Sequence, residues 1–429
     1  MFEKIKSVKT VLKNNINRVE NLSLYLLASI LSGIIGVFFN PFLAANLSSL
    51  DYSIIGYFGS FAPLFTPILN FSLISYYVRK YFKIAPEKRQ ETLNTIVSTL
   101  IIWGAISSVL IVVLFFIYTS LNKVELPFYP FAIMSIAQLV FNNFLLIYQV
   151  NCRMQADAKR YFKITMAASL LTVLFSVFLV IIFKYGAVGR MSATLASSII
   201  IAFISIKRIK FKLTINFNIL KEAISFGWPV SISYIIQYFL FGIDISLLER
   251  LNDVTNMGLY VVAVTIAGYL SILYTGLAQT FEPDLYKAVS QYDYKKIIRI
   301  VVLITTILIP FVLVFTLLAK PVIAILTYNR YTEAYQMARV LSLGVISTYL
   351  MVAIEGIINA FGYTKTAMMN KVISAILVLI LYNHLINNYQ FIGAAWGRVM
   401  APFIVFIIGL LSLFFLKPKI TRMRYAEKN

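Results

Sequence analysis

Residues 93–119 read LNTIVSTLIIWGAISSVLIVVLFFIYT, without one Asp, Glu, Lys or Arg. A transmembrane helix needs about 20 predominantly apolar residues to cross roughly 30 Å of hydrocarbon, where every backbone polar group must be bonded within the segment. Runs of the same kind recur at residues 22–45, 54–78, 128–150, 164–183, 187–206, 223–247, 258–281, 300–319, 338–361, 367–386 and 391–416. With the first they make twelve, joined by short polar connectors. Of the 429 residues, 60% are apolar or aromatic and only 13% charged, a balance that excludes a water-solvated fold of this size. The sequence predicts an all-α integral membrane protein with twelve transmembrane helices.

The net charge of +21 is dispersed among the connectors and forms no basic domain, which excludes nucleic acid as the partner. Most of the 38 Lys and Arg fall on the side that holds both termini, so the positive-inside rule predicts cytoplasmic termini, with anionic lipid favouring the same arrangement. Lys4, Lys6, Lys9, Lys13 and Arg18 precede the first apolar run and no small-residue cleavage site follows, so helix 1 is read as the insertion signal. One cysteine, Cys152, excludes an internal disulfide, and one histidine, His384, excludes a His/Cys metal cluster. There is no Ser-His-Asp set, metal-ligand spacing or phosphate-cradling glycine loop, so no catalytic residue, metal or cofactor is expected. The chain reads as a conduit.

Two internal matches predict a duplication. YGAVGRMSA (Tyr185–Ala193) resembles GAAWGRVMA (Gly393–Ala401), which places Arg190 on Arg398, and Asn151–Arg160 aligns with Glu355–Thr364 at nearly the same shift, close to half the chain. Six helices fused to six keep their orientation, giving parallel lobes at residues 1–212 and 213–429 with a cavity between them. Pro63, Pro67 and Asn70 are expected to break the second helix and turn carbonyls toward that cavity.

Charge inside an apolar span is costly, so Asp244, Glu282, Glu355, Lys371, Arg190 and Arg398 are the functional candidates. Asp244 and Glu355 are the candidates for proton or sodium coupling; the competing reading puts Asp244 at the outer interface, paired with Arg250. Arg190 and Arg398, in the first turns of helices 6 and 12, suit a phosphate held through paired hydrogen bonds, or an interfacial anchor. Lys371 suits the same anion, or snorkels. Asn142 and Gln237 offer the donors and acceptors that sugar hydroxyls need, or join helices.

From helix 7 into helix 9 the residues FGWPVSISYIIQYFLFGIDISLLERLNDVTNMGLYVVAVTIAG and AQTFEPDLYKAVSQYDYKKIIRI, and later GIINAFGYTKTAMMNKVISAIL and GAAWGRVMA, resemble the polysaccharide-unit flippases of the multidrug/oligosaccharidyl-lipid/polysaccharide superfamily, most closely the Wzx-type O-antigen flippases. The resemblance implies a MATE-like fold in a bacterial inner membrane. It also implies translocation of an undecaprenyl-pyrophosphate-linked oligosaccharide to the periplasmic leaflet, coupled to a proton or sodium gradient and working with other polysaccharide-assembly proteins. A multidrug/cation antiporter and a membrane polysaccharide polymerase are the alternatives. Between Glu20 and Arg79 the only charge is Asp51, so neither the arginine cluster of lipid II flippases nor the first-helix carboxylate of drug exporters has a counterpart here. The polymerase reading wants a long outer segment, and the longest outer connector runs only from about Lys320 to Met337.

Overall fold

The computed structural model describes residues 24–25 and 27–426, with the side chains of Gln279, Glu282, Pro283 and residues 419–426 excepted. The N-terminal basic residues and the Glu282 carboxylate named above lie outside what is described. Among the described residues eleven helices are long and apolar enough to cross a membrane, and the last, Thr364–Pro418, is two helices merged across Gln390 (φ 47°, ψ −126°), which makes twelve crossings. Each coincides with a predicted apolar run to within several residues at its ends.

In order, the helices are α1 (Leu27–Asn46), α2 (Ser49–Ser60), α3 (Ala62–Asn70), α4 (Leu73–Lys80), α5 (Pro86–Leu121), α6 (Phe131–Met154), α7 (Ala158–Ser176), α8 (Gly186–Ile209), α9 (Phe217–Phe241), α10 (Ile243–Leu248), α11 (Val254–Gly268), α12 (Ser271–Ser290), α13 (Tyr294–Leu326), α14 (Tyr335–Ala360) and α15 (Thr364–Ala426). A π-helical stretch, Val177–Ile182, extends α7. Helix starts use four of the six aspartates. Asp157, Asp253 and Asp293 accept backbone N–H bonds as N-caps of α7, α11 and α13, and Asp51 completes a capping box with Ser48. An aspartate without such a role, Asp244 above all, therefore stands out.

The chain forms two compact units. One comprises the described residues up to Phe39, then Ile68–Phe115 and Ala132–Val230; its core includes Tyr77, Ile96, Leu100, Ile147 and Ile201. The other comprises Asn40–Pro67, Phe116–Phe131 and the described residues from Ser231 onward. Large apolar side chains face outward on the helices, among them Phe38, Val109, Leu317, Ile380 and Phe414, as a hydrocarbon solvent permits.

The second crossing breaks elsewhere than at its prolines. Pro63 follows a one-residue interruption at Phe61 and Pro67 lies inside α3, but the full break comes at Phe71 and Ser72, both at positive φ. There the Ser72 N–H donates to Asn70 Oδ1 (2.9 Å), and the Ile68 carbonyl one turn back accepts the Trp103 indole N–H (2.8 Å). Ile68 O, one of the carbonyls near these prolines, is thus satisfied by protein. Gly227 is needed beside the break, because a Cβ there would lie 2.3 Å from Phe71 O.

Candidate functional site

The site lies in the second unit and begins where α9 stops. Gly242 (φ −124°, ψ −18°) separates α9 from α10, and a Cβ on it would lie 2.7 Å from Ser60 O and from the Tyr238 ring. The interruption frees the Phe241 carbonyl and brings Asp244 into the first turn of the short α10, with no exposed surface. Asp244 is therefore buried and not hydrated, and its partner is Arg398, not Arg250. Arg398 Nε donates to Asp244 Oδ2 at 2.5 Å, and its Nη2 reaches both Asp244 Oδ1 (3.3 Å) and Phe241 O (3.1 Å). Tyr260 Oη donates to the same Oδ2 at 2.6 Å. A carboxylate that receives a guanidinium fork and a phenol is stable in a low-dielectric interior because its lone pairs are satisfied.

Local sequence explains why these groups meet. Asp253 caps α11, and Gly258 lets it run against the start of α2, where a Cβ would come within 2.3 Å of Ser49 O. Ser53 Oγ adds a bond to Val254 O (2.7 Å). Two residues past Gly258, Tyr260 then projects onto Asp244. In GAAWGRVMA, Gly393 packs on the Leu385 carbonyl and Gly397 on the Tyr382 ring, where Cβ atoms would lie 2.0 and 2.2 Å away. These close approaches bring the arms of α15 together and place Arg398 beside Asp244. Tyr382, fully buried on the first arm, has a hydroxyl without a partner among the described residues.

The paired motif in the first unit has a different outcome. Gly189 packs on the Leu179 carbonyl, as Gly393 does on Leu385, but Arg190 Nη1 donates to Ser176 Oγ at 2.7 Å. The arginines of the two matching motifs thus donate to a hydroxyl in one case and to a carboxylate in the other. Glu355 and Lys371 form a second largely buried pair, 3.2 Å apart, on α14 and α15. Glu355 Oε1 is buried with no partner among the described residues. Gln237 and Asn142 are half-buried, each in its own unit, and enter no hydrogen bond described here. Among the described residues no group of three or more His, Cys, Asp and Glu is placed to hold a metal ion.

Arg398 also lines a cavity of about 140 Å³ with Ser271, Tyr274, Gly344 and Thr348. Its Nε and Nη2 serve Asp244 and Phe241, leaving Nη1 for an occupant. Sequence reasoning singled out Arg398 and Asp244 but missed Tyr382 and the Phe241 carbonyl; the Gly-Ile-Asp order at 242–244 was the available signal for a helix break.

A sequence profile described as "Polysaccharide biosynthesis protein" matches residues 19–283. Among solved structures, the lipid II flippase MurJ in an inward closed conformation is similar with a TM-score of 0.67 and 18% identity, over 90% of this chain and 86% of that one. An inward-facing multidrug resistance MATE family transporter of the MOP superfamily gives a TM-score of 0.70 at 14% identity, over 94% and 99% of the two chains. The Vibrio cholerae MATE transporter VcmN in its bent form gives 0.55 at 14% identity, over 93% and 98%. At such identities the likeness establishes the fold, that of a multi-pass MATE-like membrane protein. No curated protein sequence matches the chain.

Proposed function

Because this chain belongs to the polysaccharide biosynthesis protein family, we propose that it is a flippase. It moves an undecaprenyl-pyrophosphate-linked oligosaccharide, an O-antigen or other surface-polysaccharide repeat unit, from the cytoplasmic to the periplasmic leaflet of a bacterial inner membrane. Sugar hydroxyls and pyrophosphate cannot cross hydrocarbon unaided, since each unsatisfied polar group costs about 2–7 kcal/mol and isolated charge far more. Alternating access lowers that barrier while the polyprenyl tail stays in lipid. The two parallel six-helix lobes, 1–212 and 213–429, are the moving bodies in this reading, with both termini cytoplasmic.

The observation that carries the proposal is a half-buried guanidinium, fixed by a fully buried carboxylate, that lines a cavity within a MATE-like fold. Asp244 holds two of the three guanidinium nitrogens, so Arg398 presents Nη1 to a phosphate oxygen in a fixed direction. Lys371 and Arg190 are secondary anion contacts, and Gln237 and Asn142 have amide groups to spare for hydroxyls. For ion coupling Glu355 is better placed than Asp244: one of its oxygens has no partner among the described residues, whereas a cation arriving at Asp244 must displace Arg398 and Tyr260.

Cells lacking the protein should accumulate lipid-linked repeat units in the cytoplasmic leaflet. Accumulation on the periplasmic face would place the defect at polymerisation, and altered dye efflux with normal surface glycan would make the protein a drug exporter; either outcome overturns the proposal.

A further inference from the structure

One face of α14 lines two cavities in succession. Leu341, Gly344, Val345 and Thr348 border the cavity beside Arg398, and Tyr349, Val352, Ala353 and Gly356 border a second of about 320 Å³. The alternating spacing of three and one is that of a single helical stripe, which at 1.5 Å per residue spans about 18 Å from Gly344 to Gly356. Tyr274 of α12 belongs to both walls, so the cavities adjoin.

Their chemistry differs. The smaller is below the roughly 300–1,000 Å³ typical of small-molecule pockets and ends on a guanidinium, with the hydroxyls of Ser271 and Thr348 nearby. The larger falls inside that range and is walled by four aromatic rings, Tyr274, Phe281, Tyr286 and Tyr349. Three of the four carry a hydroxyl, and Tyr349 is only 3% exposed. Flat apolar faces edged by hydroxyls match a pyranose, whose C–H faces stack on aromatic rings while its hydroxyls exchange hydrogen bonds. An isoprenoid chain offers no hydrogen bond to the hydroxyl of the nearly buried Tyr349. Glycine keeps both rooms open: a Cβ added at Gly268, in the smaller, or Gly356, in the larger, meets nothing within 4 Å.

We infer that the α12–α14 cavities are a headgroup site, the smaller taking a phosphate and the larger, between Tyr274 and Tyr349, taking the sugar ring attached to it. The inference rests on the flippase reading and deepens it, by placing pyrophosphate and first sugar within one unit.

The test uses full-length protein in nanodiscs and two probes, farnesyl pyrophosphate and farnesyl-pyrophosphoryl-N-acetylglucosamine, with binding measured by calorimetry. Tyr349→Phe removes one hydroxyl and should weaken the sugar-bearing probe about three- to tenfold, the range of one lost hydrogen bond. Gly356→Val fills the larger cavity and should abolish the advantage of the sugar-bearing probe. In both variants farnesyl pyrophosphate should bind as it does to wild type, which also shows that the fold is kept. Equal weakening of both probes would assign the larger cavity to the isoprenoid and overturn the inference. Unchanged binding of the sugar-bearing probe in both variants would overturn it too, while leaving the flippase reading intact. Failure of wild type to bind either probe would defeat both.

Discussion

Removing Arg398 tests the centre of the site. In Arg398→Gln, Asp244 keeps the Tyr260 bond to Oδ2 but loses both guanidinium bonds, and with no exposed surface it has no water to replace them. An orphaned buried charge of this kind costs about 3–5 kcal/mol, a large share of the roughly 5–15 kcal/mol that stabilises a folded protein. Neutralising the other partner as well, in Asp244→Asn/Arg398→Gln, removes the orphaned charge and should restore most of the loss. Equilibrium unfolding of wild type, both single variants and the double variant in mixed micelles closes the cycle, with an expected coupling energy of about 3 kcal/mol or more, at or above the top of the usual range. If Arg398→Gln is as stable as wild type, or the double variant shows the sum of the two single losses, the pair is not the buried strut described here.

Glu355→Gln should slow translocation and flatten its dependence on pH or sodium, measured with a lipid-linked oligosaccharide in proteoliposomes; an unchanged ion dependence would remove Glu355 from coupling. Gly397→Ala drives a methyl into the Tyr382 ring and should lower stability by about 1–3 kcal/mol while reducing transport, read by thermal unfolding and the same flux assay. Glu249, 8% exposed in the turn after α10, accepts the Glu125 N–H at 3.1 Å, yet burial pushes its carboxyl above the ordinary glutamate range. The folded protein then holds that proton more tightly than the unfolded chain. The associated stability is complete below the unfolded glutamate value of about 4.3 and is lost as pH rises through the raised folded value. Melting temperatures of Glu249→Gln across this window should decline less with pH than those of wild type.

The twelve crossings were legible because hydrocarbon imposes a length and an apolar composition on each segment separately, with no knowledge of its neighbours. Residue 390 could be read as the end of a run at 386 and the start of another at 391, although the helices there join through a single non-helical residue. The same local rule singled out Asp244, Glu355, Lys371 and Arg398, since a charge in an apolar run is costly wherever its partner lies. Motif glycines were visible too, but not their purpose, which is to let Ser49, Leu385 and Tyr382 approach within distances that a Cβ forbids. Partner identity belongs to tertiary structure. Arg250 is six residues from Asp244 and Arg398 is 154 away, yet the break at Gly242 and the packing of α11 and α15 bring the distant one into contact. Arg190 likewise donates to Ser176, 14 residues back on the preceding helix, whereas Arg398 donates to an aspartate 154 residues away, a difference that the matching motifs do not contain. Charge and hydropathy determined by themselves that this chain spans a membrane many times; only the packing of its helices decided which buried charges are satisfied and which face a cavity.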